Sequence, residues 1–208
     1  MNIFDIYTQE YDQWYENNRY AYLSEIEALK CITPSSGTGL EIGVGTGRFA
    51  EPLGVSVGID PSLNMLHIAQ KRISKIVAGM GENLPFLNDE FAFVLVVITL
   101  CFVKNVDDLI KEARRVLAYG GKIIFGIIDK NSHMGKVYQE KKKNKHRFYQ
   151  EANFYSTDEV IQLLKNHNFV EISTYQTIFQ PLSDLTKIDI PKKGFGSGGF
   201  SAISGEKC

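Results

Sequence analysis

Gly43, Gly45 and Gly47 alternate directly after a short apolar run that ends in Glu41-Ile42. Glycine lets a backbone turn tightly and approach a ligand with no side chain in the way. Asp60 closes the next apolar run, at the spacing of about 20 residues where a strand-end carboxylate accepts hydrogen bonds from both hydroxyls of a ribose. Glycine turn and acid together describe a nucleoside-containing ligand lying across the ends of two neighbouring strands. A dinucleotide fingerprint, GxGxxG, would carry a third glycine where this chain has Arg48. That arginine counts against an NAD(P)-dependent oxidoreductase, and the lack of a GxxxxGK[ST] segment excludes a P-loop. A non-catalytic nucleoside-binding protein on the same fold remains open at this level.

Other chemistry-bearing residues cluster in three places. Tyr7, Tyr11, Trp14, Tyr15, Tyr20 and Tyr22 crowd the first 22 positions, either as core aromatics or as a cover over a ligand. Asp5, Glu10 and Asp12 keep that segment water-tolerant. Thr99, Leu100, Cys101 and Phe102 follow the long apolar run 91–98, at the lip where a second ligand would meet the first. Residues 136–147 carry Lys141-Lys142-Lys143, Lys145, His146 and Arg147, which reads as a solvated helical insert, with His133 just before it. No two histidines have metal-ligand spacing, and Cys31, Cys101 and Cys208 form no CxxC pair. Neither a metal site nor a disulfide framework is expected.

The elements that must position these residues follow from the hydrophobic pattern. Residues 20–30 have helical periodicity, broken by Pro34-Ser35-Ser36-Gly37. Strands are expected at 39–43, 55–60, 75–78, 91–98 and 122–128, with helices between them, one capped by Ser62 and running to about 75 and one at 107–117 stopped by Gly120-Gly121. The nearly all-apolar run 91–98 suits a strand buried on both faces, as in a parallel sheet covered by helices. Ser156 and Glu159 form a capping box for a helix to 166, and strands at 171–179 and 199–204 close the chain with no helix between them. The pattern predicts a doubly wound α/β fold with a mostly parallel seven-stranded sheet and an antiparallel C-terminal strand pair.

In this frame Leu40-Glu41-Ile42-Gly43-Val44-Gly45-Thr46-Gly47 resembles the first motif of the class I S-adenosylmethionine-dependent methyltransferases, which share a Rossmann-like sheet. Gly58-Ile59-Asp60-Pro61-Ser62 resembles their ribose-binding segment, and Gly81-Glu82-Asn83-Leu84-Pro85-Phe86 their adenine-side loop. Arg115-Val116-Leu117 followed by Gly120-Gly121 is similar to the signature before their fifth strand. Tyr11-Asp12-Gln13-Trp14 and the helix 159–164 are similar to the small-molecule branch of that family. Three positions depart from the pattern: Met80-Gly81 where an acid is common, Ala92 for Asp, and Ala118-Tyr119 for Lys-Pro.

The resemblance implies one methyltransferase domain over residues 1–208, with a helical lid over 1–30 and an insert over 130–155. It assigns Glu41, Gly43, Gly45 and Gly47 to the methionine side of S-adenosyl-L-methionine, Asp60 and Pro61 to the ribose, and Gly81, Glu82 and Asn83 to the adenine edge. Thr99 completes the cofactor set, and Tyr7, Tyr11, Trp14, Phe102 and His133 are the lid and acceptor candidates. Methyl transfer from a sulfonium is an in-line displacement with an activated leaving group, so proximity and a dry site can carry it without a metal. A general base is needed only where the acceptor must lose a proton, and no residue is singled out for that role. The implied products are S-adenosyl-L-homocysteine and a methylated small molecule.

Composition sets the outer limits. The chain has 208 residues, 44% hydrophobic and 23% charged, as in an ordinary globular domain. Lys+Arg 23 against Asp+Glu 24 gives a formal net charge of -1, which argues against a nucleic-acid partner. The run 91–103 falls short of the roughly 20 residues of a membrane span. The first 14 residues have three acids and no Lys or Arg, the reverse of a secretory signal, so a cytoplasmic location is expected.

Overall fold

A computed structural model describes residues 3–208. Three helices open the chain: α1 (Ile3–Ile6), α2 (Thr8–Asn17) and α3 (Arg19–Lys30). Then follow β1 (Gly39–Ile42), β2 (Val57–Asp60), α4 (Leu63–Ala69), β3 (Lys75–Ala78), β4 (Phe91–Val97), α5 (Val106–Val116) and β5 (Leu117–Ile128). The C-terminal part holds α6 (His133–Lys143), α7 (Thr157–Asn166), β6 (Phe169–Thr177), β7 (Lys192–Lys193) and β8 (Phe200–Lys207).

The sheet order is β3-β2-β1-β4-β5-β8-β6-β7. β1 to β5 pair in parallel, and β8 lies antiparallel between β5 and β6. Alternate side chains of the central strands feed two separate cores, because successive residues of a strand point to opposite faces. Phe93, Leu95 and Val97 of β4 join Ile26 and Leu29 of α3 and Leu66 of α4 on one face. Val94 and Val96 join Leu109 and Ala113 of α5 and Val160 and Leu164 of α7 on the other. The fold is therefore the doubly wound, mostly parallel Rossmann-like sheet.

Among the described residues the sheet has eight strands rather than seven. β7 is two exposed lysines paired with Gln176 and Tyr175, and two charged residues leave no apolar pattern to detect. Gly120-Gly121 does not end the preceding helix either. α5 stops at Val116, β5 begins at Leu117, and the glycines sit in a register shift where Phe91 faces Leu117 but Phe93 faces Lys122. α4 ends at Ala69, short of the expected 75. Ser62 caps α4 by accepting the Met65 N–H, and the Ser156–Glu159 capping box forms at α7. α3 is a core helix, with Ala21, Ile26, Ala28 and Leu29 buried.

Candidate functional site

The turn after β1 is built around Gly43. Its φ is +70°, and a Cβ there would lie 2.3 Å from Thr99 Cγ2. Thr99 Oγ1 donates to the Gly43 carbonyl at 3.1 Å, tying the turn to the end of β4. Asp60 finishes the cradle from β2, accepting the Gly45 N–H at 2.9 Å and the Ser62 N–H at 2.8 Å. Burial pushes the Asp60 carboxyl pKa above its ordinary value, against the pull of the Ser62 and Gly45 N–H groups. Gly43→Ala combines left-handed strain with a collision at Thr99, which costs roughly 2–5 kcal/mol. A lowered melting temperature and lost cofactor binding are expected, with partial recovery in Gly43→Ala/Thr99→Ala. An unchanged melting curve for the single variant would show that the turn tolerates a side chain.

These groups open onto a cavity of about 620 Å³ at the carboxyl ends of β1, β2 and β4, where ligands bind in doubly wound sheets. Gly43, Gly45, Asp60, Pro61, Gly81, Glu82 and Thr99 line it, with Tyr11 and Phe102. Three residues of the sequence-level cofactor set lie off its wall. Glu41 is buried, its Oε2 has no hydrogen-bond partner, and burial and the nearby Asp60 raise its pKa well above the ordinary value. Gly47 faces Ala69 at the end of α4 and Arg72 just beyond it. Asn83 is exposed in the turn that Met80 closes. Met80 lines the wall as well, and Phe4, Arg147 and Phe148 are wall residues that sequence patterns did not single out as site residues.

α1 and α2 roof this cavity through a charged clamp. Arg48, the residue standing where a dinucleotide motif has glycine, grips Asp12 with Nε at 2.9 Å and Nη2 at 2.6 Å. Arg72 Nη1 donates to the same carboxylate at 2.9 Å, and Glu16 pairs with Arg48. Asp12 is therefore an internal anion, not a solubilising surface acid. At the other end, Ser62 Oγ donates to Asp5 Oδ1 at 2.5 Å. Phe4 of α1 packs edge-on against Phe102, stacks on Phe148 and meets Tyr11, joining roof, strand lip and insert. Tyr7 lies off the wall, its ring 4.6 Å from the Arg147 guanidinium. His133 lies apart from these groups, with Nε2 at 3.1 Å from the Gln180 carbonyl.

A second cavity, about 240 Å³, shares Tyr11, Ile98 and Phe148 with the first. Trp14, Tyr15, Tyr138 and Tyr149 supply its aromatic walls, and Glu25 lies among them. The insert is thus only partly solvated: Met134 and Tyr138 are buried, and Lys141 and His146 reach this cavity. Ile98, at the junction, has φ +52°, a conformation that costs a β-branched residue roughly 1–3 kcal/mol. Among the described residues no cluster of three or more His, Cys, Asp or Glu could hold a metal ion, and no helix is long and apolar enough to cross a membrane.

A doubly wound sheet with a glycine turn and an acid at the carboxyl ends of two neighbouring strands defines a nucleoside-binding α/β enzyme fold. The methyltransferase domain family matches residues 40–125. A crystal structure from Thermotoga maritima, described as an S-adenosylmethionine-dependent methyltransferase and possible histamine N-methyltransferase, superposes with TM-score 0.95 at 43% identity, covering 99% of this chain and 98% of that one. An uncharacterized protein of Methanocaldococcus jannaschii is 51% identical over 207 residues, the whole length of both. Demethylmenaquinone methyltransferase of Bacillus velezensis is 27% identical over 123 residues, 56% of this chain and 52% of that one. The chain belongs to the class I S-adenosylmethionine-dependent methyltransferases, and S-adenosyl-L-methionine is its cofactor.

Proposed function

We propose that this enzyme methylates a small organic acceptor held in the 240 Å³ aromatic cavity, with the cofactor in the 620 Å³ cavity beside it. The observation that carries the reading is the shared wall: Tyr11, Ile98 and Phe148 border both spaces. The larger cavity falls in the size range of cofactor sites, and its donor set fits the cofactor. Backbone at Gly43 and Gly45 would face the methionine portion, Asp60 the ribose hydroxyls, and Met80, Gly81 and Glu82 the adenine. When bound, the cofactor supplies a methyl group on a cationic sulfur. The chain's own work is alignment and exclusion of water, through the aromatic roof of Phe4, Tyr11 and Phe148.

The smaller cavity lies below the usual range for drug-sized ligands, which suits a molecule of one or two rings rather than a polymer. The Thermotoga relative's description as a possible histamine N-methyltransferase supports the same reading. Three free cysteines fit a reducing, cytoplasmic setting. S-adenosylmethionine and S-adenosylhomocysteine are expected to raise the melting temperature with concentration, as native-state ligands do, and NAD to leave it nearly unchanged. A screen of small-molecule acceptors with labelled S-adenosylmethionine then reads turnover. A larger thermal shift with NAD than with either adenosyl ligand would sink the cofactor assignment, and transfer confined to macromolecules would sink the small acceptor.

A further inference from the structure

Glu25 of α3 is 2% exposed, lines the smaller cavity, and has neither a hydrogen-bond nor an ion-pair partner among the described residues. A buried carboxyl is normally paired, because ionising it alone is costly. Burial pushes this one up to about 8. Around it stand Glu10, Tyr11, Trp14 and Tyr15 from α2, Tyr138 and Lys141 from α6, and His146 and Tyr149 from the following loop. Glu10 is engaged elsewhere, by Arg147 at 3.1 Å. The Lys141 ammonium sits 4.6 Å from the Tyr138 ring centroid, so the chain's own cation already occupies one of these aromatic faces. Glu25 has no such cation.

We propose that Glu25 is the counter-charge for the acceptor, and that the acceptor is a small organic amine whose ammonium meets Glu25 among these rings. Aromatic faces attract a desolvated ammonium, and the carboxylate completes the charge. An anionic or neutral acceptor would leave the Glu25 carboxyl protonated and gain at most a hydrogen bond there, whereas an ammonium draws out the carboxylate and gains a charge-assisted pair. An ammonium nitrogen has no lone pair, so the atom that takes the methyl group is at the amine's other end, by the Tyr11–Ile98–Phe148 junction. Glu25 is thereby a binding residue that sets acceptor charge and register. The inference rests on the smaller cavity being the acceptor site.

The test uses the full chain saturated with S-adenosylhomocysteine and two matched sets of probes. These are tyramine, 4-ethylphenol and 3-(4-hydroxyphenyl)propionate, and tryptamine, 3-ethylindole and indole-3-propionate. Titration calorimetry is expected to show at least one amine bound tenfold or more tighter than its neutral and acidic counterparts. Near pH 7 the empty Glu25 carboxyl is protonated, so pairing with an ammonium releases about one proton, read by repeating the titration in buffers of different ionisation enthalpy. Glu25→Gln should abolish both the amine preference and the proton release, and Glu25→Asp should keep the preference. Equal binding of the neutral or acidic members, binding of no amine, or an amine preference that survives in Glu25→Gln would each overturn the inference. The thermal shift with S-adenosylhomocysteine is expected to be equal in wild type and Glu25→Gln, which confirms a folded variant. Its absence in wild type would overturn the cofactor reading and this inference together. Methyl transfer to neutral or anionic acceptors alone would remove the amine and leave the methyltransferase standing.

Discussion

Asp60→Ala is expected to weaken S-adenosylhomocysteine binding by roughly one to three orders of magnitude. Each carboxylate oxygen already accepts one backbone N–H, from Gly45 on one side and Ser62 on the other. An ionised carboxylate has about four acceptor sites, so both oxygens keep capacity for the ribose hydroxyls. Charge-assisted hydrogen bonds of this kind contribute about 1.5–3 kcal/mol each. The substitution also strips two N–H donors of their partner, at about 1–3 kcal/mol for each that stays buried. Asp60 therefore does more than its place at a strand end suggests, and the variant should melt lower as well as bind poorly. Asp60→Asn keeps one acceptor oxygen and should fall between the two. Burial raises the Asp60 pKa, so affinity should decline as falling pH approaches that raised value. Calorimetry on a folded Asp60→Ala protein with unchanged affinity would remove Asp60 from the site.

Asp12→Ala is expected to free the roof. Burial pushes the Asp12 carboxyl up, but Arg48 and Arg72 outweigh that and hold it well below the usual carboxylate range. A depressed pKa in the folded state contributes stability that is complete above the unfolded value, near pH 4, and is lost as pH falls through the folded value. At neutral pH the clamp is at full strength. Removing its carboxylate leaves Arg48 and Arg72, each only partly exposed, without their shared partner. Loss of one member of a buried pair costs about 3–5 kcal/mol, and of an exposed pair at most about 1 kcal/mol. This half-buried triad should fall between those limits, enough to detach α2 while β1 to β5 keep their packing. Hydrogen exchange should then show lost protection across residues 8–17, and methyl transfer should drop because the roof no longer excludes water. Protection across α2 equal to wild type would mean that its aromatics, led by Tyr15, hold it without the clamp.

The features legible in the amino-acid order were those decided within a few residues. Strand and helix alternation, the Gly43–Gly45–Gly47 turn, the Ser62 cap, the Ser156–Glu159 box and the strand-end position of Asp60 are all local, because periodicity, φ preference and capping act over a turn or two. The place of Asp60 at the end of β2 was readable because the short connection from β1 leaves one apolar run ending in an acid. Where a partner lies far along the chain, only the tertiary structure decided the outcome. Arg48 meets Asp12 across 36 residues, which turned a motif irregularity into a clamp and a surface acid into a half-buried one. Glu25 reads as one more helix residue until α2, α6 and the loop at His146 close around it. Phe148 lies in a basic insert with no pattern pointing inward, yet it walls both cavities. Even the two-residue β7 exists only because β6 is there to pair with it. Side-chain identity determines what a residue can bind, but its partners depend on where the chain returns.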